Sequence, residues 1–161
     1  MSDLLQTISN CDEASIKGQF LTFITGEGTF GVEIGQVMEI VMMQTITSMP
    51  EMPEYIRGLM NLRGKIIPVL DARIRFHLPI KEYDDQTCII VLDSGNQPIG
   101  LIVDSVSDVM TIPEEDIIDT PDVNRNKPQY VKKIGRVGEQ VLLLLDYETL
   151  WNEEDLEQIM A

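Results

Sequence analysis

With 161 residues, 43% of them apolar, the chain is long enough to bury a core as one domain or as two small subdomains sharing one. Twelve Lys and Arg against 27 Asp and Glu leave a formal net charge of −15, which excludes duplex DNA and anionic membrane surfaces as partners, since both need clustered cations, and favours a basic partner surface. Cys11 and Cys88 form no CxxC pair and suggest no metal site, the acidic start MSDLLQ is unlike a secretory signal, and no apolar run approaches membrane-spanning length, so a reducing cytoplasm is the expected compartment.

In chain order, residues 1–17 are a leader with Leu4, Leu5 and Ile8 at helical spacing, too short to hold a helix alone. Phe20–Thr25 reads as a strand, residues 26–29 as a turn, and Phe30, Val32 and Ile34 as one face of a second strand. A third strand is expected over Val37–Met43, and a loop with Pro50 and Pro53 follows. Residues 58–71 read as a hairpin turning near Arg63–Lys65, because Gly64 tolerates the positive φ of a tight reversal. Pro68 cannot donate to a ladder, so its strand should lie at an edge, at a bulge, or with its nitrogen turned away from the partner. Arg57, Arg63, Lys65, Arg73 and Arg75 concentrate five of the twelve basic residues around this hairpin.

The second half is expected to hold strands at Thr87–Leu92, Ile99–Val103 and Val106–Thr111. One helical turn should follow at PEEDIID, then a loop over 119–129 and a hairpin of Val131–Val137 with Val141–Leu145. A C-terminal helix over 147–160 should turn Leu150, Trp151 and Leu156 toward the core. The halves repeat. GVEIGQVMEI at 31–40 matches GLIVDSVSDV at 100–109 at an offset of 69, FLTFI falls on IIVLD and Gly26 on Gly95. At a slightly longer offset Asp71 corresponds to Asp146. Two copies of a β unit of about five short strands are expected, each at the size where a sheet curls and closes. The groove between two such barrels would be a place for peptides and helices to dock.

Signals for catalysis are weak. GEGTFG at 26–31 matches GxGxxG, but a strand follows it where a dinucleotide site needs a helix N-terminus. The lone histidine, His77, has no partner pattern. Asp104 and Asp108 read as solvated strand residues, and no nucleophile elbow, zinc helix or P-loop is present. Neither catalytic nor metal-binding residues nor a cofactor are expected. Six of the nine methionines lie between Met38 and Met60, where they would serve either as core filler or as an adaptable contact surface.

The run YIRGLMNLRGKIIPVLDARIRF, preceded by FGVEIGQVMEIV and followed by IGLIVDSVSDVM, resembles the CheW-like family of chemotaxis coupling proteins, from about Gly18 to about Leu150. Ala72 departs from the family's usual Leu, and the methionine-rich segment is not usual in it. The resemblance implies a mainly β fold of two SH3-like five-stranded barrels, with subdomains near 18–82 and 83–146, short helices and the C-terminal helix. It implies a non-catalytic cytoplasmic adaptor, recruited to membrane receptor arrays. There it would link the regulatory domain of the histidine kinase CheA to the cytoplasmic tips of methyl-accepting chemoreceptors, alongside other CheW-like domains in rings. A regulatory module of a parallel chemosensory pathway with non-flagellar output, or a ligand-sensing domain, is the alternative. Carried over by motif, the contact residues are Val37, Glu39, Gly58, Arg63, Gly100 and Val109. Residues 18–56 hold five acids and no base, so Arg63 is expected to pair with Glu39 across the strands.

Overall fold

The computed structural model describes residues 18–95, 97–119, 131–146, 150 and 151. The expected leader at 1–17, nearly all of the 119–129 loop, and the C-terminal helix apart from Leu150 and Trp151 lie outside the described residues.

Among the described residues eleven strands form in chain order: β1 (Gln19–Thr25), β2 (Gly28–Glu33), β3 (Val37–Met42), β4 (Ile56–Leu62), β5 (Lys65–Asp71), β6 (Cys88–Asp93), β7 (Pro98–Val103), β8 (Ser105–Thr111), β9 (Ile117–Asp119), β10 (Val131–Val137) and β11 (Gln140–Leu145). Among the described residues there are also one helical turn, α1 (Ala72–Arg75), and short 3₁₀ turns at Ile34–Gln36 and Glu114–Asp116. The fold is mainly β, in two sheets, with strand orders β8-β1-β2-β11-β10-β9 and β3-β6-β7-β5-β4. We call these barrels A and B.

Period-2 alternation explains the near-continuous apolar strands. In β6, Cys88, Ile90 and Leu92 point into a core shared by both barrels, while Ile89 and Val91 point into the interior of barrel B. The shared core also takes Leu21, Phe23 and Phe30 from barrel A, Leu70 and Leu101 from barrel B, and Leu150 and Trp151. Barrel B is filled by Met60, Ile67, Val69 and Ile102 besides the β6 residues, and barrel A by Phe20, Ile112, Leu142 and Leu144. A strand buried on both faces therefore has no polar side to alternate with.

The repeat is present in the pairing itself. Adding 69 to both partners turns Leu21↔Val32 of the β1–β2 hairpin into Ile90↔Leu101 of β6–β7. Adding 75 turns Ile56↔Leu70 and Gly58↔Val69, with the bulge between them, into Val131↔Leu145 and Lys133↔Leu144. The bulge separating Leu21↔Val109 from Phe23↔Val106 recurs between Ile90↔Ile40 and Leu92↔Val37. The barrels are not consecutive halves of the chain, however. Barrel A combines β1 and β2 with β8–β11, and barrel B combines β6 and β7 with β3–β5, so the expected division near residue 82 cuts across both.

The reason is reach. Only Asp104 separates β7 from β8. Two Cα steps span about 7 Å, whereas the matching place in its own half, beyond β6 and back level with the start of β7, lies about 19 Å away. The third strand must run on into the other barrel.

Each third strand then bends and closes its barrel. Beyond β3, Thr47 exchanges both main-chain hydrogen bonds with Leu59 of β4, at 2.8 Å each. Beyond β8, Ile118 of β9 pairs with Ile134 of β10. Because Leu59 turns its N–H and C=O to Thr47, its pair with Pro68 is a non-hydrogen-bonded one. The Pro68 nitrogen therefore faces away from β4, just before the ladder to β7 begins at Val69. Proline thus sits in an internal strand rather than at an edge.

Candidate functional site

The β4–β5 hairpin closes with the two-residue loop Arg63-Gly64, both at positive φ (55° and 86°), the type I′ geometry that matches strand twist. Asn61 Oδ1 accepts from Gly64 N at 2.8 Å and braces the loop. Position one of such a turn favours Asn, and holding a long side chain there is strained. Arg63 is nonetheless aimed at β3, where its guanidinium donates to both carboxylate oxygens of Glu39, at 2.9 and 3.0 Å. Such a fork-to-fork pair fixes orientation as well as charge. The expected ion pair forms. Thr47 with Leu59 joins the edges of barrel B by main chain, and Glu39 with Arg63 clasps them by side chains. The arginine side chain remains 76% exposed and that of Glu39 21%.

The other four expected contact residues sit differently. Val37 is buried in the shared core, and Val109, on β8 of barrel A, packs partly buried against the same core. Gly58, at φ 150°, lies where the barrel closes, and a Cβ there would collide with the Thr47 carbonyl. Gly100 lies in the interior of β7, where a Cβ would come within 2.9 Å of Ile89 Cγ2. Glu39 and Arg63 are therefore the two of the six whose side chains meet at the surface. Next to them β3 exposes Met38 and Met42, whereas Met60 is buried, so the methionine cluster divides between exposed positions and core.

Two other basic residues of the segment, Arg73 and Arg75, make contacts of their own. Arg73 donates from Nε and Nη2 to the Asp104 carboxylate (2.8 and 2.7 Å) and from Nη1 to Pro79 O, and Gly26 N donates to Asp104 Oδ2 at 3.0 Å. Asp71 caps Arg73 N and accepts from the Tyr83 hydroxyl at 2.7 Å. This latch ties α1, after barrel B, to the β1–β2 turn of barrel A. Asp104 is consequently not a solvated strand residue; Asp108 keeps an exposed side chain, with its backbone held on the Thr22 hydroxyl. Desolvation pushes the Asp104 carboxyl up, but the Arg73 guanidinium and the Gly26 N–H outweigh it and hold the group below its ordinary value. Burial and the bond to Asp71 push the Tyr83 hydroxyl up to about 12. Arg75 lies over the Tyr55 ring, 4.1 Å from its centre.

Of two hollows lined by described residues, neither contains any of the six residues. One of about 450 Å³ is lined by Thr25, Phe30, Phe76, Leu78 and Val131 among others. The other, of about 520 Å³, is lined by Glu54, Arg57, Ile74, His77, Leu78 and Ile80. Among the described residues no group of three or more His, Cys, Asp or Glu could hold a metal ion, and no helix is long and apolar enough to cross a membrane. GEGTFG forms the β1–β2 turn and continues as a strand.

The chain is similar to known proteins along most of its length. It is 34% identical over 153 residues to chemotaxis protein CheW of Klebsiella aerogenes, covering 94% of this chain and 92% of that one. It is 31% identical over 146 residues to CheW of Treponema pallidum, covering 88% and 86%. Among solved structures, the scaffolding protein TtCheW of Thermoanaerobacter tengcongensis matches with a TM-score of 0.78 and 33% identity, over 84% of this chain and 92% of that one. The CheW-like domain model matches residues 19–155, and with two barrels in which the NLRG loop clasps the β3 edge, the chain belongs to the CheW-like family.

Proposed function

We propose that the chain is a non-catalytic cytoplasmic adaptor that couples transmembrane chemoreceptors to the histidine kinase CheA in chemotaxis arrays. Barrel faces bind the kinase regulatory domain, and the surface around Glu39 and Arg63 contacts a partner protein. The observation that carries this reading is the exposed arginine held at positive φ on the barrel seam, since a strained residue persists where its side chain is needed. Val37, buried in the shared core, and Val109, against that core on β8 of barrel A, would support contact surfaces from within, and Gly58 and Gly100 hold strands of barrel B in place. Membership of a family with a relative described as a scaffolding protein supports the same role.

The test is binding of the purified chain to a kinase regulatory-domain fragment and to a receptor-tip fragment, with stoichiometry measured by calorimetry. Binding to both is expected. No binding to either, where a control coupling protein binds, would favour a ligand-sensing or regulatory module.

A further inference from the structure

Neither half of this chain closes a barrel by itself in the folded protein. Residues 18–82 contribute the β1–β2 ribbon to barrel A and the strands β3–β5 to barrel B; residues 83–146 contribute β6–β7 to barrel B and β8–β11 to barrel A. The β1–β2 ribbon lies between β8 and β11, and the β6–β7 ribbon lies between β3 and β5. Four of the nine ladders among the described strands thus join one half to the other: β1–β8, β2–β11, β3–β6 and β5–β7. The shared core interleaves Phe23, Phe30 and Leu70 of the first half with Ile90, Leu101 and Trp151 of the second. The Arg73–Asp104 latch crosses the same boundary.

By contrast, the covalent connection between the halves runs over the surface, where residues 79–86 are all exposed and Ile80 is 75% so. Rearrangement into two self-contained barrels is barred by the single residue Asp104 between β7 and β8. We infer that the two halves are each other's binding partners, holding together as a one-to-one complex without the segment that connects them. Each half offers the other an open ribbon whose two unpaired edges and apolar faces fit only the complementary clasp.

The experiment uses the full chain with a protease recognition sequence inserted between Ile80 and Lys81, cleaved after folding, with the uncleaved chain as control. The cleaved protein is expected to elute at the mass of the intact chain and to keep the near-ultraviolet signal of Trp151. It should also recover both after urea unfolding and dilution, with an unfolding midpoint that now rises with protein concentration, as for any two-chain complex. Separation of the fragments on the column would overturn the inference, with folded fragments showing that each half forms a barrel by itself. Co-elution with loss of the tryptophan signal would overturn it as well.

Discussion

Replacing Arg63 with Asn separates what the residue does for the fold from what it does for a partner. Arg63 sits at φ 55°, a region that costs an ordinary L-residue roughly 1–2 kcal/mol and that Asn enters more readily. The substitution therefore relieves up to about 1 kcal/mol of strain in the turn. It also removes a bidentate pair with Glu39 whose arginine is 76% exposed, a geometry worth about 1 kcal/mol or less. The two effects offset each other, and stability in urea is expected to stay within about 1 kcal/mol of the parent, with an unchanged m-value. Partner binding should respond differently: loss of a hydrogen bond to a charged group costs about 1.5–3 kcal/mol, or about 10- to 100-fold in affinity. Alanine would be the poorer probe, because it removes the charge yet keeps the strain. A stability loss beyond about 2 kcal/mol would mean that the ion pair carries the seam, and unchanged affinity for both the kinase and receptor fragments would remove Arg63 from the contact surface.

Three further outcomes are expected. Gly58→Ala places a Cβ against the Thr47 carbonyl at a backbone angle that L-residues rarely adopt, and should cost about 3 kcal/mol or more in a urea melt, with faster amide exchange at Thr47 and Leu59. Gly100→Ala meets the side chains of Ile89 and Val69, which can shift by a few tenths of an ångström, so about 1–3 kcal/mol is expected, and no loss at all would show slack in barrel B. Asp104 has its folded pKa lowered, so its contribution is complete above the ordinary carboxylate value near 4 and fades as pH falls through the lower folded value. Asp104→Asn should therefore be less stable than the parent at pH 7, with the difference shrinking as pH falls below the ordinary carboxylate value, and a difference that stays constant on acidification would refute the latch.

The sequence by itself determined the described strands except β9, which it read as part of a helical turn at PEEDIID, together with the two-copy pattern and the family, because these are written in local alternation, in turn glycines such as Gly64, and in a motif that survives as a contiguous string. It even determined the Glu39–Arg63 pair, since an acidic first third leaves an arginine at the hairpin tip few other places to go. It could not show which copy completes which barrel. An offset of 69 is the same whether the third strand returns to its own hairpin or crosses to the other, and only the span available to Asp104 in three dimensions decides between them. Nor did it separate Asp104 from Asp108, four positions apart and chemically alike: one turns inward to Arg73 and the Gly26 amide, the other outward to water. That distinction depends on α1, which is 29 or more residues earlier in the chain and comes beside Asp104 only when both barrels are closed.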